Sequence, residues 1–124
     1  MGIRFIKISV VYFAIGVILG LFMSMTHDVA LTGVHVHINL LGWSSFALAG
    51  IVYHLFPRAT SNLYAKLHFW SANIGLPIMM VALAIYLLNG VEAAITFIAI
   101  GGVLVVFSVI MFAINVLQNV RSAA

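Results

Sequence analysis

The chain has 124 residues, of which 65% are hydrophobic and 6% charged, with a net charge of +3 and a mean hydropathy of +1.28. A soluble domain carries about 25% charged residues, so this chain cannot cover a water-facing surface and its solvent is a bilayer. Five basic and two acidic residues are too few for a nucleic-acid footprint, and the lack of cysteine excludes disulfides, thiolate metal sites and a thiol nucleophile.

Four apolar stretches, at about 4–25, 34–56, 67–88 and 93–117, are each near the ~20 residues that a helix needs to cross hydrocarbon. The first opens on Arg4 and Lys7 and resembles a leader in having a basic start and an apolar core. Ser24-Met25-Thr26-His27 behind it lacks a small-x-small cleavage pattern, so the span is expected to be retained. Met1-Gly2 is no myristoylation site, because position 6 is Ile6. Gly16-x-x-x-Gly20 permits close helix approach. His27-Asp28 and Thr32-Gly33 break the chain before the second span, which contains the stretch Thr32-Gly-Val-His-Val-His-Ile-Asn-Leu-Leu-Gly-Trp43. Pro57-Arg58 stops that span, since proline cannot continue a helix ladder. Asn89-Gly90 is a C-cap signal for the third, and the fourth carries Gly101-Gly102 but no histidine. A spanning backbone must satisfy its own hydrogen bonds, so the spans are helices. Short connections favour an all-α, up-down-up-down transmembrane bundle forming one domain over residues 1–124.

Arg4, Lys7, Arg58, Lys66 and Arg121 all fall at one end of such a bundle, and Asp28 and Glu92 at the other. The positive-inside rule then places both termini in the cytoplasm of a prokaryotic-type plasma membrane. Tyr53, Phe56, Tyr64 and Trp70 group near the same boundary, as an aromatic belt would.

An imidazole in hydrocarbon is costly without a partner, so an intramembrane histidine is a functional signal. His35 and His37 lie about one turn inside the outer end of the second span. Residues two apart on a helix diverge by about 200°, so the pair cannot chelate one metal ion and instead reaches two sites, one on each flank. Asn39 is one turn below His35 on the same face, placed to orient a ligand or to donate to a carbonyl. The competing account makes the imidazoles interhelical glue. Neutral imidazole is also a common metal and heme ligand. His27 belongs to the outer loop. His54 is about 25 Å from His37 at 1.5 Å per residue, so it and His68 are expected to be interfacial anchors outside the outer site. Met23, Met25, Met79 and Met80 are candidate axial partners for iron, or plain packing.

His37-Ile-Asn39 at the outer start of the second span resembles the low-spin heme segment of the catalytic subunits of heme–copper oxidases and nitric-oxide reductases. Tyr53-His-Leu-Phe-Pro57 resembles the end of the same span, and Tyr64-Ala-Lys-Leu-His-Phe-Trp70 the entry to the next. The likeness covers spans one to three, and span four by hydropathy alone. That family's twelve-helix subunit is three four-helix arcs with approximate threefold symmetry, and this chain is similar to one arc. His35-Val-His37 also resembles the His-x-His of the family's tenth span, where the first histidine holds the high-spin heme and the second the low-spin heme. The resemblance implies a homotrimer that rebuilds the ring. Heme b would be held without covalent attachment, by His35 and His37 of neighbouring subunits, with Asn39 beside them. A quinol or cytochrome redox partner would reach it from the outer side. The family's copper site takes histidines from two successive later spans, and spans three and four here offer no second pair. Three functions are thus expected in competition: electron transfer through bis-histidine heme, an oxidoreductase reducing oxygen or nitric oxide, and a cofactor-free structural or assembly subunit.

Overall fold

A computed structural model describes residues 1–122. Helix α1 is Gly2–Thr26, α2 is Thr32–Leu55, α3 is Leu63–Asn89 and α4 is Ala94–Asn119. All four are long and apolar enough to cross a membrane, as an integral membrane protein requires, and no strand occurs among the described residues.

Local chemistry sets the helix boundaries. His27 adopts the left-handed conformation, φ 53°, and ends α1. The Asp28 carboxylate then accepts from the Ala30 N–H at 2.9 Å, turning the chain toward α2. Pro57–Thr60 form a 3-10 turn after α2. The Asn62 side chain accepts from the Ala65 N–H at 2.9 Å, a side-chain cap that starts α3 at Leu63, earlier than hydropathy alone suggests. Gly90, at φ 65°, closes α3 with its N–H on the Tyr86 carbonyl at 2.8 Å. Pro77 sits inside α3 on an exposed face.

Helix α2 differs from the uniform α-helix expected over 34–56. Only Thr32–His37 and Phe46–Leu55 are α-helical, and Ile38–Ser45 between them is π-helical. The Ser45 hydroxyl donates to the Leu40 carbonyl five residues back, at 2.7 Å. Such i→i+5 segments are rare and tend to occur at functional sites. This one begins at the residue after His37.

The packing runs α1 on α2, α2 on α3 and α3 on α4, with the last pair the most extensive and α1 and α4 at the two ends of the series. Small residues set the crossings. A Cβ on Gly101 would lie 2.6 Å from the Met79 nitrogen, and one on Gly75 would lie 2.6 Å from the Leu104 Cβ, so α3 and α4 approach backbone to backbone there. Met79 is buried at this crossing, Met80 is buried where α3 faces α1 and the start of α2, and Met25 is 72% exposed in the lateral surface.

The aromatic core lies toward the end that carries the basic residues. Phe5 is fully buried, edge-on to Phe46 at 5.2 Å and Phe69 at 5.1 Å, and stacked on His68 at 4.8 Å. Gly2 meets Gly50 and His54, and Asn62 meets Asn115, so the start of α1, the end of α2, the start of α3 and the end of α4 share one end. Arg4, Lys7, Arg58, Lys66 and Arg121 gather there, with the Arg4 guanidinium 4.4 Å from the Phe69 ring centre. Polar side chains within the helices mostly bond their own backbone. Ser9 donates to Ile6, Ser71 to Leu67, Asn73 to Phe69 and Ser108 to Val105. Each is thereby satisfied without water. The lateral surface is apolar, with Ile18 67%, Val103 69% and Leu117 83% exposed.

Candidate functional site

The histidine stretch opens α2 beside α1. His35 and Asn39 share one face and meet the two glycines of Gly16-x-x-x-Gly20. A Cβ on Gly20 would lie 2.8 Å from the His35 ring, and one on Gly16 would lie 2.7 Å from the Asn39 amide oxygen. The glycine pair therefore packs, as its spacing suggests, and what it accommodates is the polar pair. The Asn39 amide donates to the His35 carbonyl at 2.8 Å and to His35 Nδ1 at 3.3 Å. With Nδ1 accepting, the neutral His35 ring carries its proton on Nε2.

His37 lies elsewhere. Its ring is exposed, and its Nδ1 donates to the Gly33 carbonyl at 2.7 Å, which leaves the Nε2 lone pair free. Thus Asn39 and His35 come together, and His37 stands apart on another flank of the helix. No group of three metal-binding side chains forms among the described residues. His27 is exposed beyond the end of α1, and His54 is exposed near the basic end.

A second polar centre was not visible in the sequence. His68 is only 5% exposed and is not an interfacial anchor; Tyr53 is 1% exposed and belongs to the core, not to an aromatic belt. Trp70, 57% exposed, does face outward. The His68 ring lies between Phe5 at 4.8 Å and Phe112 at 4.7 Å, and its Nδ1 is 2.8 Å from the Tyr53 hydroxyl. Asn115, fully buried, spends one N–H on the Ala59 carbonyl at 2.8 Å and the other on the Tyr53 hydroxyl at 3.5 Å. Its carbonyl accepts from Asn62 and from Asn119, each at 2.9 Å. The network ties α2, the 3-10 turn, α3 and α4 together, and no buried polar side-chain atom among the described residues lacks a partner. The one sequence signal for it was Asn115 itself, an amide one turn before the end of α4.

Comparison with family models, with curated proteins and with solved structures finds no match to this chain.

Proposed function

We propose that the protein is a membrane b-type heme protein whose role is electron transfer, assembled as a homotrimer with heme at the subunit interfaces. The observation that carries this reading is His37. An imidazole on the apolar flank of a membrane helix is costly without a partner. This one is already oriented, with Nδ1 held by the Gly33 carbonyl and Nε2 unpaired. A backbone carbonyl behind Nδ1 is the usual arrangement for an imidazole that ligates a metal through Nε2. The missing partner is then supplied by another copy of the chain.

The residues fit the group unequally. His37 is ready to ligate. His35 carries its proton on Nε2 while Asn39 donates to Nδ1. Ligation by His35 requires the Asn39 amide to turn, so that its oxygen accepts from Nδ1–H. Asn39 would then hold the His35 ring as the Gly33 carbonyl holds His37. Bound heme would supply a one-electron couple, and His37 of one copy and His35 of the next would hold it. The remaining side chains around the stretch, Val34 and Ile38 among them, are apolar and exclude water.

Protein purified from heme-replete cells is expected to give a pyridine hemochrome of b type and a sharp reduced α-band. Protein that carries no heme under those conditions removes the reading, and a spectrum shifted by carbon monoxide replaces it with an oxidase-like or reductase-like one.

The gathering of all five basic residues at one end supports cytoplasmic termini in a prokaryotic-type plasma membrane. A reporter that works only outside the cytoplasm, fused behind α4, is expected to be silent. An active reporter reverses the orientation.

A further inference from the structure

We infer that the basic half of the bundle holds a binding site for a ring-sized, lipid-soluble carbonyl compound, of which a quinone head group is the membrane-borne example. The site is separate from the His35–His37 stretch and does not rest on the heme reading.

A cavity of about 190 Å³ lies between α2, α3 and α4. A dry cavity of ~150 Å³ takes up benzene, so this space suits one substituted six-membered ring. Its walls are apolar, with Leu76 at the back, and its mouth is formed by Ser45, Leu48 and Val109, all exposed on the lateral surface. Entry is therefore from the bilayer, which selects a lipid-soluble ligand.

His68 lines the cavity although it is 95% buried, and the network behind it fixes its chemistry. Asn115 donates to the Tyr53 hydroxyl, and among the described residues the only acceptor for the hydroxyl proton is His68 Nδ1. The histidine proton therefore resides on Nε2. Nε2 has no hydrogen-bond partner among the described side chains, yet it is not sealed off by protein, and the open space along the ring is the cavity. The other polar groups of the lining are spent, Ser45 on the Leu40 carbonyl and Ser108 on the Val105 carbonyl. One uncommitted N–H in an apolar, ring-sized space calls for a ligand with an apolar ring and an accepting oxygen. A plain acyl chain fills the volume and leaves the N–H unpaired.

The test uses the full chain in phosphatidylcholine nanodiscs and measures binding of decylubiquinone, with decylbenzene as the competitor that lacks oxygen. Saturable binding at one site per chain is expected. His68→Leu should weaken it about tenfold, as loss of one buried hydrogen bond does, and decylbenzene should compete poorly. Val109→Trp, at an exposed position on the mouth, should abolish binding while leaving helical content and elution volume unchanged. It decides the matter if His68→Leu does not fold. Absence of saturable binding, equal binding by Val109→Trp, equal binding by a folded His68→Leu, or equal competition by decylbenzene overturns the inference. The last result identifies the space as an acyl-chain crevice.

Discussion

His37→Ala is expected to strip the purified protein of heme. Loss of a hydrogen-bonding partner behind a metal ligand already costs roughly 10–100-fold in affinity. Loss of the ligand itself costs more, and heme content should fall below about a tenth of wild type. The substitution is mild for the fold, because the ring is exposed and its hydrogen bond goes to the Gly33 carbonyl of its own helix. Helical content and elution volume should stay unchanged, which separates loss of a ligand from loss of structure. His35→Ala carries the intersubunit part of the reading. If each interface uses His35 of one copy and His37 of the next, either substitution empties all three interfaces. A His35→Ala protein that keeps its full heme complement and an unchanged six-coordinate spectrum would show that the second axial ligand is another group. A monomer with bound heme would refute the trimer directly.

The second large effect is structural. Asn115→Leu keeps roughly the shape of the side chain and removes its four hydrogen bonds, while the one between Tyr53 and His68 remains. The Asn62 and Asn119 amides and the Ala59 carbonyl each lose a partner. A buried polar group left unpaired costs about 1–3 kcal/mol. Asn62 and Asn119 are only half-buried and recover part of this from water or headgroups. The net loss should be on the order of 2–4 kcal/mol, read as a lower midpoint of thermal unfolding in detergent. Asn119→Leu, at the rim of the same network, should cost less than about 1 kcal/mol. Equal midpoints for Asn115→Leu and wild type would mean that the network contributes nothing to stability.

The outline of this fold was legible because hydropathy and charge speak plainly in a membrane chain. Helix number, the Asn89-Gly90 stop and the collection of basic residues at one end all follow from local chemistry. The separation of His35 from His37 was legible too, since it needs only the helical period. What could not be read was which flank of each helix turns inward. The helices are apolar on nearly every side, so the contrast that marks the inner face of a soluble helix is missing. That is why Tyr53 and His68 looked like boundary residues and prove to be interior. Asn115, which donates to Tyr53, comes from a different helix, 62 residues along the chain. No local pattern announces such a contact. The π-helical segment was equally silent, because no residue type in Ile38–Ser45 dictates an i→i+5 ladder in place of the ordinary one.

That segment makes the length of α2 a property under constraint. Each i→i+5 bond spans one residue more than an α-helical turn does. Deleting a single residue between Ile38 and Ser45 therefore lets this stretch revert to the ordinary ladder with both flanks of α2 kept in register, so His35 stays in the glycine groove of α1 while Tyr53 stays against His68. Deleting one residue from the α-helical stretch between Phe46 and Tyr53 has no extra residue to give up, and turns the part of α2 before it by about 100° relative to Tyr53. His35 then leaves the groove and the two polar centres are uncoupled. A one-residue deletion is thus absorbed in one stretch of α2 and not in the next, although no hydropathy plot tells the two apart. Substitution inside the π-helical stretch is a separate constraint, since a Cβ on Gly42 would run into the Tyr12 ring of α1.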